Sequence, residues 1–228
     1  MTETKSYTVR IFRDHGLSIV LFSFFMISLA GHYATGWSEL NNERQEHGLP
    51  TIELSNYVLE GHFIATLFEN WESEFLQMGA YVLLTGFLYQ KGSADSKRPG
   101  TTERVDVIAS ESKDDPGMPW PVRRGGLALK VYSYSLSIAL FGLFGLSFAL
   151  HAVGGTMAHN ATELQHGGVA VGVFEFVSTS RFWFESFQNW QSEFLSVGTM
   201  IVLAIFLRQK GSPESKPVDS PHWETGSD

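Results

Sequence analysis

Cysteine is absent from this chain. That excludes a disulfide scaffold, thiolate-held zinc or iron–sulfur, and a thiol nucleophile. Charge is scarce too: Asp, Glu, Lys and Arg make up only 18% of the residues, and the formal net charge is −8. A broad basic face for nucleic acid is therefore not expected. The chain also lacks a Gly-rich phosphate loop, a His-Glu-x-x-His run and a serine nucleophile elbow. In their place it is rich in aromatic residues, 14% of 228 with 18 phenylalanines. That composition argues against disorder. A mean hydropathy of −0.03 conceals a division between apolar runs and polar loops.

Four stretches are free of Asp, Glu, Lys and Arg. Asp14 and Glu39 bracket the first, and Lys130 and Glu163 bracket the third. Each exceeds the roughly 20 residues needed to cross about 30 Å of hydrocarbon. The second (Glu74 to Lys91) and fourth (Glu193 to Arg208) are shorter, but Trp71 and Trp190 stand just upstream as interfacial anchors. The first run also resembles a signal peptide, with Lys5, Arg10 and Arg13 ahead of it and Ser28-Leu29-Ala30 as a cleavage-like triplet. Retention as a span is favoured, because the same helix recurs inside the chain.

That recurrence is an ungapped repeat at an offset of 119 residues. Leu17-Ser18-Ile19 meets Leu136-Ser137-Ile138, His32 meets His151, and His47-Gly48 meets His166-Gly167. Asn70-Trp71-Glu72-Ser73-Glu74-Phe75-Leu76 meets Asn189-Trp190-Gln191-Ser192-Glu193-Phe194-Leu195. The expected architecture is all-α: a polytopic membrane protein whose four spans form two tandem helical hairpins related by pseudo-two-fold symmetry. Residues 1–90 make the first repeat, with spans at about 15–37 and 72–90 and an outer loop at 38–71. Residues 91–130 make a flexible linker. Residues 131–210 make the second repeat, with spans at about 133–155 and 191–209 and an outer loop at 156–190. Residues 211–228 make a polar tail.

Of the 16 basic residues, only Arg44 and Arg181 fall in the two outer loops. Basic residues collect on the cytoplasmic side. Both termini and the linker are therefore expected in the cytoplasm of a bacterial cell, with the protein in its cytoplasmic (inner) membrane. Two hairpins of like orientation imply an axis along the membrane normal. The aromatic segments Ser55 to Glu69 and Phe174 to Gln188 read as short interfacial helices.

Shared positions in the first span, Ser18, Leu21, Phe25, Ser28 and His32, are spaced 3, 4, 3 and 4 apart, one face of a helix. The matching stripe is Ser137, Leu140, Phe144, Ser147 and His151. Both stripes are expected to face the bundle interior. His32, Glu74, His151 and Glu193 are the ionisable groups shared between repeats near one depth, and ionisable groups at membrane depth raise a functional hypothesis. Three readings stay open for this cluster: structural pairing, a haem or His/Glu metal centre, and a pathway for a proton, ion or small solute. Asn70 and Asn189 suit helix N-caps, and Ser73 and Ser192 follow in the same motif. His47 and His166 read as turn residues or, alternatively, as metal ligands. No cofactor is assigned.

The duplicated NWxSEFL motif, at Asn70, Trp71, Ser73, Glu74, Phe75 and Leu76 and again at Asn189, Trp190, Ser192, Glu193, Phe194 and Leu195, resembles that of a family of bacterial integral membrane proteins known only as a domain of unknown function. The resemblance covers most of residues 15–212 and implies membership and location, with no activity attached. The expected function is a non-enzymatic structural or interaction component of the membrane. The expected partners are the lipid bilayer, further copies of the chain or other membrane proteins, and no nucleic acid. The alternatives are a redox protein using the His/Glu cluster and a small oligomeric channel or transporter.

Overall fold

A computed structural model describes residues 2–107 and 116–226, with side chains from Arg10 onward. Met1, residues 108–115 of the expected linker and residues 227–228 of the tail lie outside the described residues. Those described are all-helical and contain no strand. The elements are α1 (Thr2–Glu46), α2 (Leu54–Tyr57), α3 (Gly61–Thr85), α4 (Trp120–Arg124), α5 (Gly126–Ser133), α6 (Ser135–Gln165), α7 (Val173–Val177) and α8 (Ser180–Phe206), with a short 3-10 turn at Arg104–Asp106. Two helices, α1 from Arg10 and α6, are long and apolar enough to cross a membrane.

The chain divides into two compact units. The first comprises the chain up to Thr66 together with Val153–Val171. Here α1 ends in a Schellman turn: Gly48 takes φ +70°, its N–H donates to the Gln45 carbonyl, and the Leu49 N–H reaches the Arg44 carbonyl at 2.8 Å. The same turn closes α6, with Gly167 at φ +78° and the Gly168 N–H on the Glu163 carbonyl at 2.8 Å. Asn41 clamps the returning loop, donating to the Ile52 carbonyl at 3.0 Å and accepting its N–H at 2.7 Å. Asn160 does the same to Val171, at 2.9 and 2.8 Å. Tyr57 is fully buried and its hydroxyl lies 2.8 Å from Nδ1 of His62. The start of α3 and the end of α6 touch through glycine. A Cβ on Gly61 would stand 2.5 Å from the Ala158 nitrogen, and one on Gly154 would stand 2.5 Å from the Ala65 nitrogen.

The second unit comprises Leu67–Ala152 and the chain from Gly172 onward. Thr179 caps α8, its side chain accepting the Phe182 N–H at 3.4 Å. The tail folds back on the start of the linker: the Gly92 N–H donates to Thr225 Oγ1 at 2.9 Å, and the Gly226 N–H donates to the Ser93 carbonyl at 3.0 Å. Lys216 is 1% exposed, its ammonium on the carbonyls of Pro221, His222 and Glu224.

Several elements depart from the expected bounds. The helix begun in the first span continues to Glu46, and α3 starts at Gly61, so the intervening segment is shorter than 38–71. The aromatic segments before the second and fourth apolar runs are not separate interfacial helices. Most of each is the opening of a continuous helix, α3 or α8, preceded by the short α2 or α7. Asn70 and Asn189 therefore sit in helix interiors and cap nothing. The cause is helical continuity: from 61 to 85 and from 180 to 206 neither proline nor a left-handed glycine interrupts the chain. The described parts of the linker are structured as well, through α4, α5 and the contacts with the tail. The stripe on α6 is inward, with Leu140, Ser147 and His151 all buried. Its counterpart on α1 is not: Leu21 is 56% and Phe25 40% exposed.

Candidate functional site

The most enclosed polar group in the second unit is centred on His151. Neither His151 nor Glu72 has any solvent exposure. Nδ1 of His151 lies 3.1 Å from Oε2 of Glu72; a carboxylate accepts, so Nδ1 carries the proton. The other Glu72 oxygen accepts Nε1–H of Trp190 at 3.3 Å. On the opposite side of the ring, Nε2 is 3.7 Å from Oε2 of Glu185, an ion-pair distance without a hydrogen bond. Arg181 holds Glu185 from the solvent side at 3.0 Å. The imidazole stacks on Phe182, ring centres 4.8 Å apart and planes at 26°. Ser186, one residue beyond Glu185, is also fully buried and its hydroxyl has no hydrogen-bond partner.

Three elements set this geometry. His151 comes from the inward stripe of α6. Glu69 and Glu72 are three apart on α3, hence on one face. Glu185, Asn189 and Trp190 come from α8, where Asn189 donates to Glu69 at 2.6 Å. Burial pushes the Glu69 carboxyl above its usual range, against the pull of His151. Burial acts in the same sense on Glu185, but His151 and Arg181 hold that carboxyl below its usual range. A buried carboxylate is costly unless paired and hydrogen-bonded, and Glu72 is satisfied on both oxygens. The arrangement can hold or exchange a proton at Nε2, and it ties α3, α6 and α8 together within this unit.

The expected cluster is distributed differently. His32 lies in the first unit, where its Nε2 meets Thr66 Oγ1 at 3.0 Å. Thr66 gives its own proton to the His62 carbonyl, so His32 donates through Nε2, which leaves that nitrogen closed to a metal. Phe63 packs on the ring at 5.5 Å. Thr66 and Phe63 stand 119 residues before Glu185 and Phe182, so both histidines use corresponding positions. Glu74 is exposed and Glu193 half-buried, within electrostatic reach of one another. Neither joins His151. Ser73 and Ser192 donate to the carbonyls of Asn70 and Asn189, at 2.7 and 2.8 Å. Trp71 packs on Phe68, ring centres 5.1 Å apart.

The residues missed from the sequence are Glu72, Glu69 and Glu185. Glu69 and Glu72 become Gln188 and Gln191 in the second repeat, so a search for shared ionisable groups passes over them. Their i, i+3 spacing on a helix was the available signal.

Fold and site together define an all-helical protein with two membrane-length helices and a buried histidine–carboxylate pair. The chain belongs to the family described as a domain of unknown function (DUF6766), which matches residues 8–227. No curated protein and no solved structure matches it.

Proposed function

We propose that this chain is an integral membrane protein of a bacterial cytoplasmic membrane, crossing it four times as two tandem hairpins with pseudo-two-fold symmetry. Both termini and the middle segment lie in the cytoplasm. Its role is non-enzymatic: a packed helical scaffold that engages lipid and other membrane components. The observation that carries this reading is the bare apolar surface of α1, where Phe22 is 69%, Phe24 63%, Met26 58% and Ile27 68% exposed. Such a contiguous patch marks a lipid or protein contact. The recurrence of the same hydrogen bonds 119 residues apart, at Asn41 and Asn160 and at Ser73 and Ser192, supports the tandem arrangement. A metal or haem centre at His32, Glu74, His151 and Glu193 has less in its favour, because Nε2 of His32 donates to Thr66 and Nδ1 of His151 to Glu72, and neither Glu74 nor Glu193 joins His151. Fractionation tests the membrane reading. The protein stays in the membrane pellet through alkaline carbonate and urea washes and enters solution with detergent. Release by carbonate alone would refute it.

A further inference from the structure

We propose that His47 and His166 form a two-imidazole site for a divalent transition ion of the zinc, copper or nickel class, joining the turn after α1 to the turn after α6. Both residues lie in the first unit and both are exposed. Their ring centres are 6.2 Å apart with planes at 77°. A metal bound about 2 Å from a nitrogen sits roughly 3 Å from the ring centre, so two imidazoles on one ion have centres about 5–6 Å apart. The observed separation is close to that.

The hydrogen bonding supplies an independent argument. Nδ1 of His47 lies 2.8 Å from the Glu43 carbonyl, and Nδ1 of His166 lies 2.8 Å from the Thr162 carbonyl. A carbonyl only accepts, so each Nδ1 carries the proton and each neutral ring keeps its lone pair on Nε2. A histidine whose second nitrogen donates to a carbonyl is the usual state of a metal ligand, because that bond fixes the tautomer and orients the ring. Each ring therefore keeps an unprotonated Nε2 and is fixed by its own helix end. Imidazole suits zinc, copper and nickel, whereas magnesium and calcium prefer oxygen. Among the described residues no group of three His, Asp or Glu is placed to hold a metal, so the chain gives two ligands and water completes the shell. This site uses none of the residues around His151, and its ion would hold two helix ends together rather than carry out chemistry.

The test uses the full chain in detergent, purified without a polyhistidine tag. Zn2+ is titrated against a chromophoric chelator, and Cu2+ is followed by electron paramagnetic resonance. One ion binds per chain, copper shows coupling to two imidazole nitrogens, and Zn2+ raises the thermal midpoint. His47→Ala and His166→Ala each weaken Zn2+ binding by about 10-fold or more, since either change halves the ligand set. The double variant binds no more weakly than the weaker single variant. His47→Gln, measured alongside with circular dichroism, separates lost ligation from lost folding. An edge-to-face ring contact alone gives no chelation. Unchanged Zn2+ affinity in the two single variants, or two ions per chain each on one nitrogen, would overturn the site.

Discussion

Glu72 is a carboxylate with no solvent exposure, held between His151 and Trp190, and its removal strands a buried imidazole. Breaking a buried pair by deleting one partner costs about 3–5 kcal/mol. Glu72→Ala is therefore expected to lower stability by about that amount in a detergent unfolding titration. Glu74→Ala, at an exposed position in the same motif, is expected to cost much less. Equal losses would show that the buried pair has no special role. The loop clamps follow the same logic. Asn41→Ala removes two hydrogen bonds to Ile52 and should cost roughly 1–3 kcal/mol, as should Asn160→Ala at Val171. The Schellman glycines were half visible in the sequence, as His-Gly repeated at the fixed offset, whereas nothing there marked Asn41 and Asn160 as clamps. The pairing of His151 was not, because its partner Glu72 has no acidic counterpart in the second repeat. Repeat matching finds what two copies share, whereas this bond joins a carboxylate of one copy to a histidine of the other.

The long helices were legible from their apolar runs, and their ends were not. Asn70 and Asn189 have the chemistry of a cap, but a cap requires the helix to begin there, and nothing upstream stops α3 or α8. The working cap is Thr179, and Thr179→Ala should cost about 1 kcal/mol. Contact between the start of α3 and the end of α6 relies on small residues. Any side chain at Gly154 meets the Ala65 backbone nitrogen, which cannot swing aside. Gly154→Val is expected to destabilise by about 1–3 kcal/mol or more through overpacking. Gly31→Ala, inside α1 where an added Cβ meets nothing within 4 Å, should instead stabilise slightly, by about 0.5–1 kcal/mol from helix propensity. A neutral Gly154→Val would mean that these helices do not approach as closely as described.

The chain as a whole combines a bare apolar α1 with loops in which basic residues are scarce and a middle and tail in which they collect. Those features support the proposed arrangement, which puts 38–71 and 156–190 outside and the termini inside. Leu140, Ser147 and His151 of the stripe on α6 are buried while Leu21 and Phe25 of its counterpart on α1 are exposed, so periodicity located the face shared by the repeats without saying what covers it. The absence of cysteine makes the decisive measurement direct, because every introduced thiol is unique. Single-cysteine variants Glu46→Cys, Val169→Cys, Val105→Cys and Val218→Cys, all at exposed positions, are treated in intact cells with a membrane-impermeant maleimide. The four-span account predicts labelling at 46 and 169, and protection at 105 and 218 until the membrane is opened. Labelling of Val105→Cys or Val218→Cys in intact cells, or protection of Glu46→Cys and Val169→Cys, would contradict it.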